Sequence, residues 1–338
     1  MIEIVSAGAL CTVQDFGRMA YRRYGVGTAG AMDQLALAAG NLLMGNPLDA
    51  AGLEIPVLPF AVRFQDDLSI TVTGADCRIE LDGKPLLPWW KHRARAGQVL
   101  TLGSDGCGFA SGARSYLLVA GGVDVPEVLG SRSTQLRGRF GGHQGRALIN
   151  GDLLKAGVLT SASKLSCEGY GLVPPVVALP ASAYYQANPT ATPQVTAVRV
   201  LPAAEYGAFD DVSIQLFWQT DWKITAQSDR YGYRLAGPAL SMKTALETRS
   251  HGVVPGVIQV PPGGPPIIQM RDAQPSGGYP KMGTVIEADL WRLAQAPAGS
   301  RIRFVETTYT GALEASRCAS DYLRKVDHLV PLFGALNA

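Results

Sequence analysis

The segment Asp272–Pro280 brings together the residue types best suited to binding and activating a small molecule. It combines a carboxylate, a side-chain amide and a hydroxyl with two adjacent glycines, Gly277 and Gly278. Backbone that carries no Cβ can approach a ligand closely. The preceding stretch alternates apolar residues with Gln259 and Gln269. This pattern predicts amides and carboxylates at the mouth of a β-barrel, where small-molecule sites commonly form.

A second group of charged residues, Asp229, Arg230 and Arg234, brackets a Tyr-Gly-Tyr turn. Two forked guanidinium groups this close in sequence are able to pair with an anionic substrate group. They fit salt bridges to Asp229 or Glu247 equally well. The sequence leaves both interpretations open.

A glycine-rich turn, Gly25–Gly30, matches the GxGxxG pattern and leads into a predicted helix. A dinucleotide-binding turn follows a buried apolar strand, whereas polar residues precede this one, so we reject that interpretation. The turn could still present amide groups to an anion, with Arg18, Arg22 or Arg23 adding charge. The alternative is a plain helix-entry loop.

Hydroxyls, arginines and glycines also concentrate in Ser131–Thr134 and Gly141–Arg146. Such a stretch can wrap a carboxylate or a phosphate through backbone N–H groups and arginine contacts. A surface hairpin with solvated arginines is the simpler interpretation. The chain contains no GxxxxGK[ST] nucleotide-binding motif.

Composition excludes several classes of function. Of the 338 residues 47% are apolar and 17% charged, with 30 basic against 28 acidic side chains, which is typical of a folded protein without a nucleic-acid footprint. The five cysteines and four histidines are scattered, so no disulfide framework or metal site is expected. Neither a signal sequence nor an apolar run of ~18 residues is present, and we expect a cytoplasmic protein without a membrane partner.

The elements that must position these groups are mostly short strands separated by glycine and proline. Two segments have helical patterns, Ala31–Met44 and Ala312–Leu329. A stretch rich in Pro, Ala, Ser and Thr near the middle of the chain predicts a linker. We therefore expect an N-terminal β-domain over 1–175, a linker over 176–193, and a C-terminal β-domain over 194–338 that ends in a helix. The predicted strands are Ile2–Val5, Leu68–Thr73, Gln98–Leu102, Ser115–Val119, Val195–Leu201, Val257–Val260 and Arg301–Phe304.

Taken in order, many short segments resemble one known family along nearly the whole chain. That family is the biotin-dependent carboxyltransferase-like family, also called allophanate hydrolase subunit 2 or KipA-like. The matching segments are Thr12–Arg18, Gly25–Val26, Gly30–Asp33, Asn41–Asn46, Leu53–Glu54, Gly121–Gly122, Gly130–Thr134, Gly151–Asp152, Ser228–Arg230, Gly232–Leu235, Pro255–Gly256, Ile258–Pro261 and Gly277–Pro280.

The resemblance implies two cyclophilin-like β-barrel domains in tandem with a few helices, hence a mainly β fold. It also implies a hetero-oligomer with a KipI-like B subunit. Residues 274–280 read Gln-Pro-Ser-Gly-Gly-Tyr-Pro and look like the 5-oxoprolinase branch, which typically has Gln-Thr-Thr-Gly-Gly-Tyr-Pro. That branch implies an ATP-hydrolysing enzyme that opens 5-oxo-L-proline to L-glutamate with B and LamB/YcsF-like A subunits.

For this reaction the resemblance implies roles for residues of both halves. Arg230 and Arg234 would bind anions, and Asp272 would serve in acid–base chemistry or face a metal. The candidates for hydrogen bonds to the lactam or a phosphate are Gln274, Ser276, Gly277 and Gly278. Further substrate-binding candidates are the neighbouring Tyr279 and two second-rank N-terminal residues, Arg18 and Asp15. ATP would be held together with a partner subunit.

Two alternatives accompany this hypothesis. In the first alternative the chain is a carboxyltransferase that moves a carboxyl group from biotin to a urea-like acceptor. The 338 residues, however, include neither a biotin-carboxylase nor a biotin-carrier segment. In the other alternative it is a non-catalytic KipA-like regulator that binds a KipI-like protein.

Overall fold

The computed structural model describes residues 1–104, 112–158, 169–179, 195–243 and 249–336. These residues form two units. The first contains Met1–Arg18, Ala29–Leu179 and Ser320–Ala338, and the second contains Met19–Thr28 and Pro180–Ala319. The division differs from the predicted domains in two places, because residues 19–28 group with the second unit and residues from 320 onward with the first.

The first unit is built from two antiparallel sheets. Within the described residues the larger sheet has the order β11-β12-β1-β4-β9-β6-β7 and the smaller one β2-β3-β10-β5-β8. Apolar side chains of both sheets form one core that includes Ile2, Phe60, Val72 and Leu117. The strands are β1 Ile2–Ser6, β2 Thr12–Gln14, β3 Gly52–Ile55, β4 Phe60–Phe64, β5 Leu68–Gly74, β6 Arg78–Leu81, β7 Lys84–Leu86, β8 His92–Ala94, β9 Val99–Gly103, β10 Ser115–Val119, β11 Val123–Asp124 and β12 Leu153–Ala156.

Helix α1 (Gln34–Met44) is buried on nearly every side, as its apolar sequence predicts. Asp33 caps its start by accepting a hydrogen bond from the Ala36 N–H at 2.8 Å. Gly45 ends it in the left-handed conformation, with φ of 74°. The helix and its glycine end were both predicted, and the observed start lies three residues later than expected because Asp33 takes the capping position.

A buried polar group fixes the backbone that precedes α1. The Glu54 carboxylate accepts hydrogen bonds from the Met32 N–H and the Tyr116 hydroxyl, both at 2.8 Å. The same hydroxyl accepts from the Asp33 N–H at 2.8 Å. Burial raises the pKa of Tyr116 well above its ordinary value, and the neighbouring Glu54 charge adds to the effect. Two neighbouring strands, β3 and β10, therefore hold the entry to the helix.

The second unit contains a closed seven-stranded barrel with the order β13-β20-β17-β18-β15-β14-β21. Strands β13 and β21 pair in parallel, and the other neighbours are antiparallel. A separate ribbon of two strands, β16 and β19, lies outside the barrel ladder. The strands are β13 Val195–Pro202, β14 Trp222–Ile224, β15 Gly232–Ala236, β16 His251–Gly252, β17 Val257–Gln259, β18 Ile267–Gln269, β19 Ser276–Gly277, β20 Lys281–Val285 and β21 Arg301–Glu306.

The remaining helices are short except for the last. The predicted mainly β architecture with few helices is confirmed. The predicted linker 176–193 begins inside α2, and its residues from 180 onward lie outside the described ranges. No described helix combines the length and apolarity needed to cross a membrane. The helices are α2 Pro175–Ala178, α3 Asp211–Gln219, α4 Leu290–Gln295 and α5 Tyr309–Leu336, with 3₁₀ turns at Met19–Tyr24, Tyr206–Ala208 and Glu287–Asp289.

Helix α5 extends beyond its predicted bounds at both ends. It buries Ala315, Tyr322, Val326 and Val330, which recur at helical spacing. The Tyr322 hydroxyl donates to the Val173 carbonyl at 2.9 Å. Because of such contacts, the second half of the helix belongs to the first unit rather than to the C-terminal domain in which it was predicted.

Candidate functional site

The segment Asp272–Pro280 is anchored at its start by a buried ion pair in the second unit. The Arg230 guanidinium donates from Nε and Nη2 to the two oxygens of Asp272 at 3.0 and 2.9 Å. The backbone reinforces this contact, since the Asp272 N–H donates to the Arg230 carbonyl at 2.8 Å. Only 1% of Asp272 and 7% of Arg230 is exposed. A two-pronged pair of this kind fixes both the position and the orientation of the carboxylate.

The structure gives Arg230 a partner, Asp272, that the sequence did not indicate. The Asp229 carboxylate accepts the N–H groups of Tyr231 and Gly232 at 2.8 and 3.1 Å. It therefore shapes the turn before β15. Glu247, the other predicted partner, lies outside the described residues.

Arg234 occupies a different environment from Arg230. It lies on β15 between the buried residues Tyr233 and Leu235, and its own side chain is exposed. Its guanidinium makes no hydrogen bond or ion pair with any residue in the described ranges. Arg230 is therefore buried in an ion pair, whereas Arg234 is accessible.

The middle of the segment pairs with a short strand and presents side chains outward. Ser276 and Gly277 of β19 pair with Gly252 and His251 of β16. Gln274, Ser276 and Tyr279 are exposed, while the two glycines are partly buried.

A buried lysine anchors the end of the segment. The Lys281 ammonium donates to the Tyr279 carbonyl at 3.1 Å and lies 3.6 Å from a carboxylate oxygen of Glu205. The His251 imidazole lies 3.8 Å from the same oxygen. Lys281 is 6% exposed, so its charge is held largely away from water next to one carboxylate.

Two glutamine side chains meet next to this lysine. Gln269 Nε2 donates to Gln259 Oε1 at 2.8 Å. Gln259 is 5% exposed, and its own Nε2 has no hydrogen-bond partner among the described residues. A Cβ placed on Gly277 would lie 2.5 Å from that Nε2. Glycine is therefore needed at position 277 because the backbone passes close to the Gln259 side chain.

Residues 19–28 contact the same region through Arg22 and Thr28. Arg22 donates to the Val253 carbonyl, and the Thr28 hydroxyl donates to the Arg271 carbonyl at 2.8 Å. The Val253 N–H in turn donates to the Pro275 carbonyl at 2.9 Å. Residues 19–28 therefore contact Arg271, which directly precedes the segment Asp272–Pro280. They also contact Val253, whose N–H is bonded to the middle of that segment.

The N-terminal candidates, Asp15 and Arg18, lie in the first unit and are engaged by their own chain. The Asp15 carboxylate accepts the hydroxyls of Ser131 and Ser133 and the N–H groups of Gly17 and Arg132. Arg18 donates to the Ser133 carbonyl, and its guanidinium lies 4.9 Å from the centre of a phenylalanine ring. The hydroxyls and amides that were candidates for anion binding hold this loop together instead.

The glycines of the same loop are explained by packing. A Cβ on Gly141 would lie 2.2 Å from the Ser133 carbonyl oxygen, and one on Gly142 would lie 1.9 Å from the Thr134 hydroxyl. At the end of the loop, Arg146 forms a two-pronged ion pair with Asp152 at 2.6 and 2.7 Å.

Sequence reasoning located the segment but missed the residues beneath it. Glu205, His251 and Lys281 are isolated in the sequence and match no motif. The strand alternation that singled out Gln259 also applies to Lys281, which lies opposite it on β20. That alternation was the only signal available before the strand pairing was known.

Comparison with known proteins assigns residues 24–306 to a family model described as carboxyltransferase domain, subdomain A and B. The chain is 38% identical over 330 residues to the 5-oxoprolinase C subunit of Haemophilus influenzae, covering 98% of this chain and 99% of that protein. It is 40% identical over 326 residues to the 5-oxoprolinase C subunit of Escherichia coli, covering 96% and 97%.

Among solved structures, the urea amidolyase of Kluyveromyces lactis superposes with a TM-score of 0.83 at 27% identity. The urea carboxylase of the same organism gives 0.82 at 28% identity. Each superposition covers 96% of this chain, but the chain spans only 20% and 29% of those proteins.

Proposed function

The chain belongs to the family of carboxyltransferase domains with subdomains A and B, and on that premise we propose that it is the C subunit of an ATP-dependent 5-oxoprolinase. One observation carries this proposal. The two relatives named as the C subunit of 5-oxoprolinase match almost end to end, at 38% and 40% identity. The urea amidolyase and urea carboxylase structures match over a small part of their length.

The name of these relatives designates one subunit of a larger enzyme, so the chain is proposed to act within a complex. Its proposed partners are a KipI-like B subunit and a LamB/YcsF-like A subunit. The complex would open the ring of 5-oxo-L-proline to give L-glutamate.

The chemistry explains why ATP is needed. An unstrained lactam resists hydrolysis, and transfer of the γ-phosphoryl group to the lactam oxygen makes the ring carbon electrophilic. Water then adds to that carbon and the ring C–N bond breaks, which frees the amine and leaves an acyl phosphate. A second water attacks the acyl carbon, and phosphate leaves with the former lactam oxygen to give the glutamate side-chain carboxylate. Such a sequence requires cations to hold anionic groups and donors for the charge that develops.

The proposed roles follow from the environment of each residue. Arg234, with its exposed guanidinium, is proposed to bind an anionic group of ATP or substrate. Arg230 and Asp272 are proposed to act as a pair that holds the segment Asp272–Pro280 in place. Hydrogen bonds to the lactam or a phosphate are assigned to the segment itself, from Gln274, Ser276, Gly277, Gly278 and Tyr279.

A specific observation favours one alternative function, carboxyl transfer from biotin to a urea-like acceptor. The TM-scores of 0.83 and 0.82 with urea amidolyase and urea carboxylase show that the same fold occurs in those enzymes. This alternative requires bicarbonate and a biotinylated partner, whereas 5-oxoproline cleavage requires neither.

The test is reconstitution of the three proposed subunits with measurement of ATP-dependent glutamate release from 5-oxo-L-proline. Arg234→Ala should reduce kcat/KM by about 10-fold or more, because the lost contact is to an anion. Arg317→Ala removes another exposed arginine of the same unit and serves as the matched control. Full turnover without this chain, or turnover that depends on bicarbonate and biotin, would overturn the proposal.

A further inference from the structure

A buried amide group beneath the segment Asp272–Pro280 has unused hydrogen-bonding capacity. Gln259 Oε1 accepts from Gln269, but Nε2 has no partner in the part of the chain that the structure describes. The side chain is 5% exposed. Buried amide N–H groups are nearly always paired, because leaving one unpaired costs free energy. An orphaned group at this place indicates that something else accepts its hydrogen bond.

The neighbouring strand supplies a second donor at the adjoining position. Gln259 on β17 pairs with Lys281 on β20, next to a shift in the register of the two strands. An ammonium group has three N–H donors. Lys281 uses one of them on the Tyr279 carbonyl, and a Glu205 carboxylate oxygen lies 3.6 Å from its nitrogen. The two side chains thus offer an uncharged donor and a cationic donor next to each other.

The cover over these donors is thin. Gly277 of β19 lies against Gln259 Nε2, and β19 is paired with β16 at only two residue positions, both on partly or fully exposed backbone. A ribbon of this length contributes little stability by itself. Displacing it would break the hydrogen bonds of Val253 to Pro275 and of Lys281 to Tyr279, but it would uncover Gln259 Nε2 without breaking the barrel ladder.

We propose that Gln259 and Lys281 are substrate-binding residues that recognise a lactam bearing a carboxylate. Gln259 Nε2 donates to the lactam carbonyl oxygen and Lys281 Nζ to the carboxylate, while the β16–β19 ribbon moves aside to admit the molecule. The inference rests on the proposed function and adds to it the residues that select the substrate.

The test uses the reconstituted complex carrying Gln259→Glu or Gln259→Met. Glutamate keeps the acceptor for Gln269 but replaces the donor with a charged carboxylate oxygen, whereas methionine removes both donor and acceptor with little change in volume. An effect shared by the two variants therefore reports the lost donor. Each variant should raise the KM for 5-oxo-L-proline by about 10- to 100-fold. Gln259→Met removes the orphaned donor but also the acceptor of Gln269, which is only partly buried, so its melting temperature should stay close to that of the wild type. Arg317→Ala, at an exposed position of the same unit, should leave KM unchanged.

A second arm separates the two donors. 2-Pyrrolidinone is the same lactam without the carboxylate, and its inhibition constant should rise in the Gln259 variants. In Lys281→Met only 5-oxo-L-proline should bind more weakly. Folded Gln259 variants with a wild-type KM would overturn this inference alone, whereas a wild-type complex that does not cleave 5-oxo-L-proline would overturn the proposed function beneath it.

Discussion

Arg230 and Asp272 form a buried ion pair with two hydrogen bonds that joins the turn before β15 to the start of the segment Asp272–Pro280. Removing one partner of a buried pair leaves an uncompensated charge. We therefore expect Arg230→Gln to lower the free energy of unfolding by about 3 to 5 kcal/mol. Urea titration followed by circular dichroism measures this change.

The matched control for that pair is an exposed ion pair between Arg93 and Asp67. Arg93 bonds Asp67 at 2.9 Å with about half of each side chain in solvent. Arg93→Gln should cost less than about 1 kcal/mol, since water replaces the lost contact. Equal effects at the two positions would contradict the role given to burial.

Gly277 should tolerate no side chain. Its Cβ would lie 2.5 Å from Gln259 Nε2, whereas a Cβ on Gly252, in the partner strand of the ribbon, would meet nothing closer than 4.0 Å. Gly277→Ala should destabilise the protein by about 1 to 3 kcal/mol, as overpacking does, and should lower the activity of the complex. Gly252→Ala should do neither. Thermal melts and kinetics of the two variants, measured side by side, provide the check.

Tyr116→Phe should show how much the buried Tyr116 hydroxyl contributes to the free energy of unfolding. Its removal takes one donor from Glu54 and leaves the Asp33 N–H without its acceptor. The expected loss is about 1 to 3 kcal/mol of unfolding free energy. Tyr309→Phe alters a tyrosine that is 71% exposed and should have no measurable effect. A neutral Tyr116→Phe would show that the loop before α1 is held by other contacts.

Asp152 should make stability depend on pH at the acid end. The Arg146 guanidinium, through its hydrogen bonds, lowers the pKa of this carboxyl to about 2 from an ordinary 3.8, although burial opposes the change. A lowered pKa means that the stabilisation is complete above about pH 4 and is lost as pH falls through about 2. On acidification the Asp152→Asn variant should lose about 1 kcal/mol less unfolding free energy than the wild type. The difference is this small because solvent around Arg146 weakens the ion pair. Unfolding curves between pH 5 and pH 2 measure it, and parallel curves for the two proteins would refute it.

Local features of the fold could be read from the sequence. Ser115–Val119 was predicted with its observed bounds, because a run of aromatic, aliphatic and β-branched residues between turn residues has few other structures open to it. Helix α1 and its glycine end were predicted for a similar reason. The assignment of residues 19–28 to the second unit depends on Arg22 and Thr28 contacting backbone more than 200 residues away. No local pattern encodes that contact.

The candidate site, too, could be predicted only in part from local sequence. Its glycine-rich segment was evident, but the partners beneath it were not, since Lys281 and Gln259 become neighbours only through the pairing of β17 with β20. Asp15 is the converse case. The family resemblance made it a candidate for substrate binding, and only the fold brings Ser131 and Ser133 to its carboxylate.

The grouping of residues 19–28 with the second unit and of residues 320–336 with the first bears on how the protein forms during synthesis. The first unit cannot be completed until the last turns of α5 have left the ribosome, and residues 19–28 must wait for partners translated long afterwards. Neither half, expressed as a fragment cut near residue 180, would contain all the residues of its unit. The chain should therefore acquire its native structure only after α5 has been synthesised, rather than domain by domain.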